Sequence, residues 1–109
     1  MTESAYQLEY YQKESGDVPF ICWLDSLRDH TAVARIRIRL GSVRLGNFGT
    51  IKPVGGGVAE LKIDHGAGYR VYYSISGKSV VLLLIGGDKS TQSKDIETAK
   101  RYWQDYQAR

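Results

Sequence analysis

Six consecutive aliphatic residues, Val80-Val81-Leu82-Leu83-Leu84-Ile85, constrain this chain more than any other feature. The run follows a turn at Ser76-Gly77-Lys78, so it reads as a strand. A strand without polar alternation has to be covered on both faces, which makes it a central strand. It is far short of the roughly 20 apolar residues that span a bilayer, so no membrane segment is expected.

The segments before it alternate as half-buried strands do. Tyr69 to Ile75 places Tyr69, Val71, Tyr73 and Ile75 on one face, and Val58 to Asp64 places Leu61 and Ile63 likewise. Gly66 and Gly68 turn the chain between them, and Gly55-Gly56-Gly57 reads as a flexible tip. Near the N-terminus Tyr6, Leu8 and Tyr10 alternate against Gln7, Glu9 and Tyr11, which predicts another strand with one buried face.

Helical spacing governs the rest. Phe20, Trp23, Leu24 and Leu27 form one apolar stripe, with Asp17 as the expected cap, Pro19 in the first turn and Cys22 as a small packed hydrophobe. Ala34 to Leu40 alternates like a strand, yet Val33, Ile36, Leu40 and Val43 share one helical side. The longer window, with Asp29 as cap and Gly46-Asn47 as stop, predicts a helix. Ile38 and Leu45 then form a second apolar stripe, for the preceding helix or for a partner. From Ser90 or Ser93 onward, Ile96, Ala99, Trp103 and Tyr106 predict a final amphipathic helix.

The order is therefore strand, two helices, three or four antiparallel strands and a helix. At 109 residues the chain makes one domain. The lone Cys22 permits no internal disulfide, and Met1 to Tyr6 shows no secretory pattern, so a cytoplasmic protein is expected.

Fifteen Lys and Arg against twelve Asp and Glu give a net charge of only +3. Its distribution is more telling. From His30 to Ala59 there are Arg35, Arg37, Arg39, Arg44 and Lys52 and no acidic residue, a local field that attracts polyanions or an acidic partner. As a helix, this stretch sets Arg35 and Arg39 one turn apart on an exposed flank.

The hairpin adds a second constraint. Burying both apolar sets of an antiparallel pair sends Glu60, Lys62 and Asp64 to the same opposite face as Arg70, Tyr72 and Ser74. Lys62 must then lie beside Arg70, either directly opposite or one pair away. With Lys89 after the central strand and Lys52 before the hairpin, four cations are expected to border one concave sheet face, a plausible phosphate cradle. The plainer alternative is a surface ladder neutralised by Glu60 and Asp64.

Other motifs fail on detail. Gly86-Gly87-Asp88-Lys89-Ser90 has Asp where a P-loop needs Gly. Gly66-Ala67-Gly68 leads into a strand, so no dinucleotide site follows. His30, His65 and Cys22 lack metal-ligand spacing, and neither metal nor cofactor is expected.

Three segments resemble the phage-derived killer-protein group of the RelE/ParE/HigB superfamily of toxin–antitoxin toxins. They are Gly68-Tyr69-Arg70-Val71-Tyr72-Tyr73, then Leu83 to Gln92, then Asp95-Ile96 with Ala99 and Trp103. The resemblance runs from about Tyr6 to Tyr106. It implies an α+β fold with an N-terminal strand, a helical hairpin, an antiparallel twisted sheet of about four to five strands and a C-terminal helix. It also implies a neutralising antitoxin, commonly a helix-turn-helix protein. RelE- and HigB-type members cut mRNA on the ribosome without a metal, whereas ParE-type members poison DNA gyrase.

Carried over by position, Arg70 matches the arginine on the scissile phosphate and Lys62 a catalytic lysine. A second lysine of that strand falls on Glu60, and Lys89, or Ser90 beside it, matches the basic residue after the last central strand. The C-terminal tyrosine of RelE falls near Ile96 and is missing. The candidates for general base are then His65, Asp88, Glu60 and, more weakly, Tyr72. Lys52, Arg35, Arg39 and Tyr72 are expected to touch RNA.

Overall fold

The computed structural model describes residues 5–109. Met1 to Ser4, part of the segment read for a secretory pattern, lie outside the described residues. Five strands and three helices follow in the order β1 (Gln7–Tyr10), α1 (Pro19–Ser26), α2 (His30–Arg44), β2 (Ile51–Gly55), β3 (Val58–Ile63), β4 (Tyr69–Ser76), β5 (Val80–Gly87) and α3 (Gln92–Ala108). A 3₁₀ turn, Lys89–Thr91, leads into α3. The α+β class and the element order are as expected.

One sheet holds all five strands in the order β1-β5-β4-β3-β2. β2 to β5 pair antiparallel, but β1 lies parallel to β5, so the sheet is mixed rather than wholly antiparallel. The two helices between β1 and the later strands supply the crossover that a parallel partner requires.

Both faces of β5 are covered, as its composition demands. Val81 and Leu83 join Phe20, Leu24, Ile36, Leu40, Leu61 and Val71 in a core beneath α1 and α2. Leu82 and Leu84 join Tyr11, Val58, Tyr72, Ala99 and Trp103 in a second core beneath α3. The register of β4 and β5 shifts between Tyr72 and Tyr73, where Ile85 and Leu83 are the partners. Leu84 is therefore a bulged residue, and Leu84 and Ile85 both serve the α3 side.

The caps divide. Asp29 Oδ1 accepts the Ala32 amide at 3.0 Å and opens α2 as expected. Gly46, at φ +90°, donates its amide to the Val43 carbonyl and closes it. Asp17 does not cap α1: Val18 holds that position with no side-chain bond, and Pro19 at the first helical position suffices. Cys22 is exposed rather than packed, because the buried stripe of α1 is carried by Phe20 and Leu24. Ile38 and Leu45 remain 70% and 59% exposed, so the second stripe of α2 is not used within the chain. The Gly55-Gly56-Gly57 tip is held in place, with Lys100 against the first two glycines, Trp103 against Gly57, and Ser74 Oγ donating to the Gly57 carbonyl.

The end of α3 is fastened to the segment after β1. Tyr11 Oη donates to Asp105 Oδ2 at 2.6 Å, and Arg109 binds the same carboxylate while lying over the Tyr11 ring. Burial, with Asp105 adding to it, pushes the Tyr11 phenol up to about 12 from an ordinary value near 10. The folded state thus favours the protonated phenol. Its stabilisation is complete below about pH 10 and is lost as pH rises toward 12. Across that window the unfolding free energy of Tyr11→Phe, measured in urea, is expected to fall less steeply than that of the parent. Parallel curves would show that this phenol does not feel the fold.

No helix among the described residues is long and apolar enough to cross a membrane.

Candidate functional site

The hairpin register brings the two expected cations together. Lys62 at the end of β3 and Arg70 at the start of β4 are directly opposite partners. Both line a groove of about 430 Å³ at that end of the sheet, together with His65 and Lys89. The loop joining the strands is fixed to the turn after β5, since the Lys89 amide donates to the Ala67 carbonyl at 3.3 Å. That bond is what brings Lys89 to a hairpin loop 22 residues earlier in sequence. Lys62 and Asp64 also line a second groove of about 810 Å³, whose other wall is Arg35, Ile38 and Arg39 of α2. Lys62 stands where the two meet.

The two cations differ in freedom. The Lys62 side chain is 49% exposed, with Nζ 3.4 Å from Asp64 Oδ1. The Arg70 side chain is only 8% exposed. Its Nη1 donates to the Gly68 carbonyl at 2.6 Å, and its Nε faces Glu60 Oε1 at 3.5 Å without completing a hydrogen bond. Among the described residues only Nη2 of this guanidinium has neither a partner nor a sealed environment.

The cause lies in α3. The face bearing Glu60, Arg70, Tyr72 and Ser74 is not an open cradle but the floor of the second core, and all four residues are buried. Glu60 Oε2 accepts Tyr72 Oη at 3.0 Å and Gln92 Nε2, from the first turn of α3, at 2.9 Å. Tyr72 is fully buried, so it offers no stacking surface, and burial with the Glu60 charge raises its phenol well above the usual range. Glu60 is likewise withdrawn from the groove. The expected fourth cation is displaced as well: Lys52 sits exposed on the edge strand β2, opposite Glu60, and does not line the groove.

The remaining candidates also separate. Asp88 Oδ1 accepts both the amide and the hydroxyl of Ser90, at 2.8 and 2.6 Å. The Ser90 hydroxyl above all holds this carboxyl below its usual value, which weakens it as a base. Arg39 is not a free cation on a helix flank. Its guanidinium donates to the Phe48 and Thr50 carbonyls at 2.7 and 3.2 Å and binds the segment after α2 to the helix. Arg35 is exposed on the second groove.

His65 Nε2 lies 3.0 Å from Asp29 Oδ2. The Ala32 amide first, and His65 after it, hold the Asp29 carboxyl below its usual value. Asp29 thus has two tasks, one oxygen capping α2 and the other binding the imidazole. The capping signal was readable in sequence; nothing local could have signalled the second task, because the partners are 36 residues apart. Gln92, which holds Glu60, was also missed and has no motif of its own.

No family model matches the chain. It is 51% identical over 81 residues to an uncharacterized protein of Haemophilus influenzae, a match covering 74% of this chain and 82% of that protein. The chain belongs to that protein's family. Among the described residues, no three His, Cys, Asp or Glu side chains are gathered as a metal site would need.

Proposed function

We propose that this protein is the toxin of a toxin–antitoxin pair, a ribosome-dependent endoribonuclease that cuts mRNA in the manner of the RelE and HigB groups it resembles. One observation carries the reading: Lys62 and Arg70 are direct cross-strand partners in a groove that also receives Lys89 and His65. Among the described residues Asp64 is the one carboxylate lining this groove, and with Glu60 facing Arg70 from beneath α3 it leaves Lys89 and Arg70 Nη2 without an acidic partner. A phosphodiester is the anion that this reading sets against them.

In this mechanism the ribose 2′-hydroxyl attacks the adjacent phosphorus, and the 5′-oxygen leaves. Lys62 and Lys89 stabilise the charge that develops on the phosphorane oxygens, and Arg70 contributes through Nη2. Arg35 on the second groove meets the sugar-phosphate chain beyond the cut. A cytoplasmic setting and a neutralising helix-turn-helix antitoxin complete the proposal.

The test is to express the protein and map new 5′ ends on cellular transcripts. Codon-linked cuts are expected, and Lys62→Ala with Lys89→Ala should lower their yield roughly 100-fold. Both side chains are exposed, so the circular dichroism of that variant should match the parent.

The pairing of Arg70 with Glu60 favours a second reading, a toxin of ParE type in which this face serves packing alone. Double-strand breaks in plasmid DNA with intact transcripts would select it.

A further inference from the structure

The proposed cleavage needs a group that takes the 2′-hydroxyl proton, and four side chains were candidates from sequence. The structure withdraws three of them. Glu60 is 5% exposed and already accepts from Tyr72 and Gln92. Tyr72 is wholly buried with its hydroxyl on Glu60. Asp88 is engaged by both donors of Ser90. His65 alone lines the groove with a ring nitrogen to spare, since Nε2 is bound to Asp29 and Nδ1 is neither partnered nor sealed off among the described residues.

We infer that His65 is the proton acceptor of this groove and that Asp29 is its positioning residue, an assignment that rests on the nuclease reading above. A carboxylate can only accept, so the bond to Asp29 Oδ2 requires the proton to be on Nε2. The Nδ1 lone pair of this groove-lining residue is then left free among the described residues. Asp29 is itself immobilised, because Oδ1 is held by the Ala32 amide at the start of α2. The imidazole is therefore fixed in both tautomer and direction by the body of the protein, although it sits on a hairpin loop. When it becomes charged, the same carboxylate stabilises the imidazolium.

The balance of the step follows. The 2′-hydroxyl proton passes to His65 Nδ1 while the 2′-oxygen bonds to phosphorus. The bond from phosphorus to the 5′-oxygen breaks, and that oxygen takes a proton from water. The products are a 2′,3′-cyclic phosphate and a free 5′-hydroxyl, and the imidazolium returns its proton to solvent.

Cleavage of a defined message on programmed ribosomes tests the assignment. His65→Gln is expected to lower the single-turnover rate roughly 100-fold or more, the usual contribution of a positioned base. Asp29→Asn is the sharper probe. Asparagine caps helices about as well as aspartate, so α2 should persist. Its amide, however, presents a donor to Nε2 and drives the proton to Nδ1, the wrong tautomer. The rate is expected to fall at least about tenfold, and ¹⁵N spectra of the His65 ring should change from an Nε2–H to an Nδ1–H signature. A merely structural pair would not couple tautomer to rate. Cleavage by His65→Gln within about threefold of the parent would overturn the assignment while the nuclease reading stood. So would an unchanged tautomer in Asp29→Asn. If the parent protein itself leaves the message intact, the nuclease reading falls and takes the assignment with it.

Discussion

Arg70→Ala is expected to destabilise the fold by about 3 kcal/mol, the lower end of what removing one member of a buried ion pair costs. The substitution leaves Glu60 charged beneath α3 with no cation beside it. Tyr72 and Gln92 continue to donate to Oε2, which is why the lower end applies. Urea denaturation should show the shift in midpoint. Combining Arg70→Met with Glu60→Gln removes both charges and should recover most of the loss, since a buried pair replaced by neutral groups of similar shape is often neutral in stability. An unchanged midpoint for Arg70→Ala would mean that the two charges are solvated and that α3 does not seal them. The result bears on function too. Lost toxicity in Arg70→Ala does not by itself identify a phosphate ligand, whereas Arg70→Lys keeps the charge and removes only the fork.

Gly86→Ala should cost about as much, roughly 3 kcal/mol, for a different reason. Gly86 and Gly87 do not have left-handed backbones, so conformational freedom is not their purpose. They are successive residues of β5 and point to opposite faces of the sheet. A Cβ on Gly86 would overlap the Trp23 ring, which is backed by Phe20 at 5.7 Å and Tyr69 at 6.4 Å between ring centres. A Cβ on Gly87 would overlap the Asp95 carboxylate and come within 2.9 Å of Thr91 Oγ1. Each glycine lets one layer approach the strand closely. Gly41 is the internal control: it is helical, has open space around it and has no left-handed backbone, so Gly41→Ala should raise stability by about 0.5–1 kcal/mol. Equal urea midpoints for Gly86→Ala and the parent would show that the indole is free to move aside.

The pairing of Lys62 with Arg70 was legible because strand parity leaves little choice. Once Leu61, Ile63, Tyr69 and Val71 face one core, the alternate residues must share the other face. The helical reading of Val33 to Val43 held for a similar reason, since Ile36, Leu40 and Val43 are buried at that spacing. Asp17 and Asp29 looked equally good as caps, and only Asp29 serves. Val18 occupies the cap position of α1, so Asp17 lies one residue too early, whereas Asp29 stands at the cap of α2 itself. Gly86-Gly87 drew notice as a failed phosphate-loop pattern and within a resembling segment, not as a packing site, because the Trp23 ring that requires one of these glycines lies 63 residues earlier.

Local chemistry alone determined the elements, the one-residue alternation, the interior position of β5 and the meeting of two cations across a hairpin. These follow from periods of 2 and 3.6 residues, which any short window contains. Tertiary packing decided what covers the polar face. α3 converts Glu60, Arg70 and Tyr72 from an open surface into a buried network, and the loop after β3 swings His65 onto Asp29. Such contacts join residues dozens of positions apart, and their energy depends on solvent exclusion, a property of the assembled layers rather than of any segment.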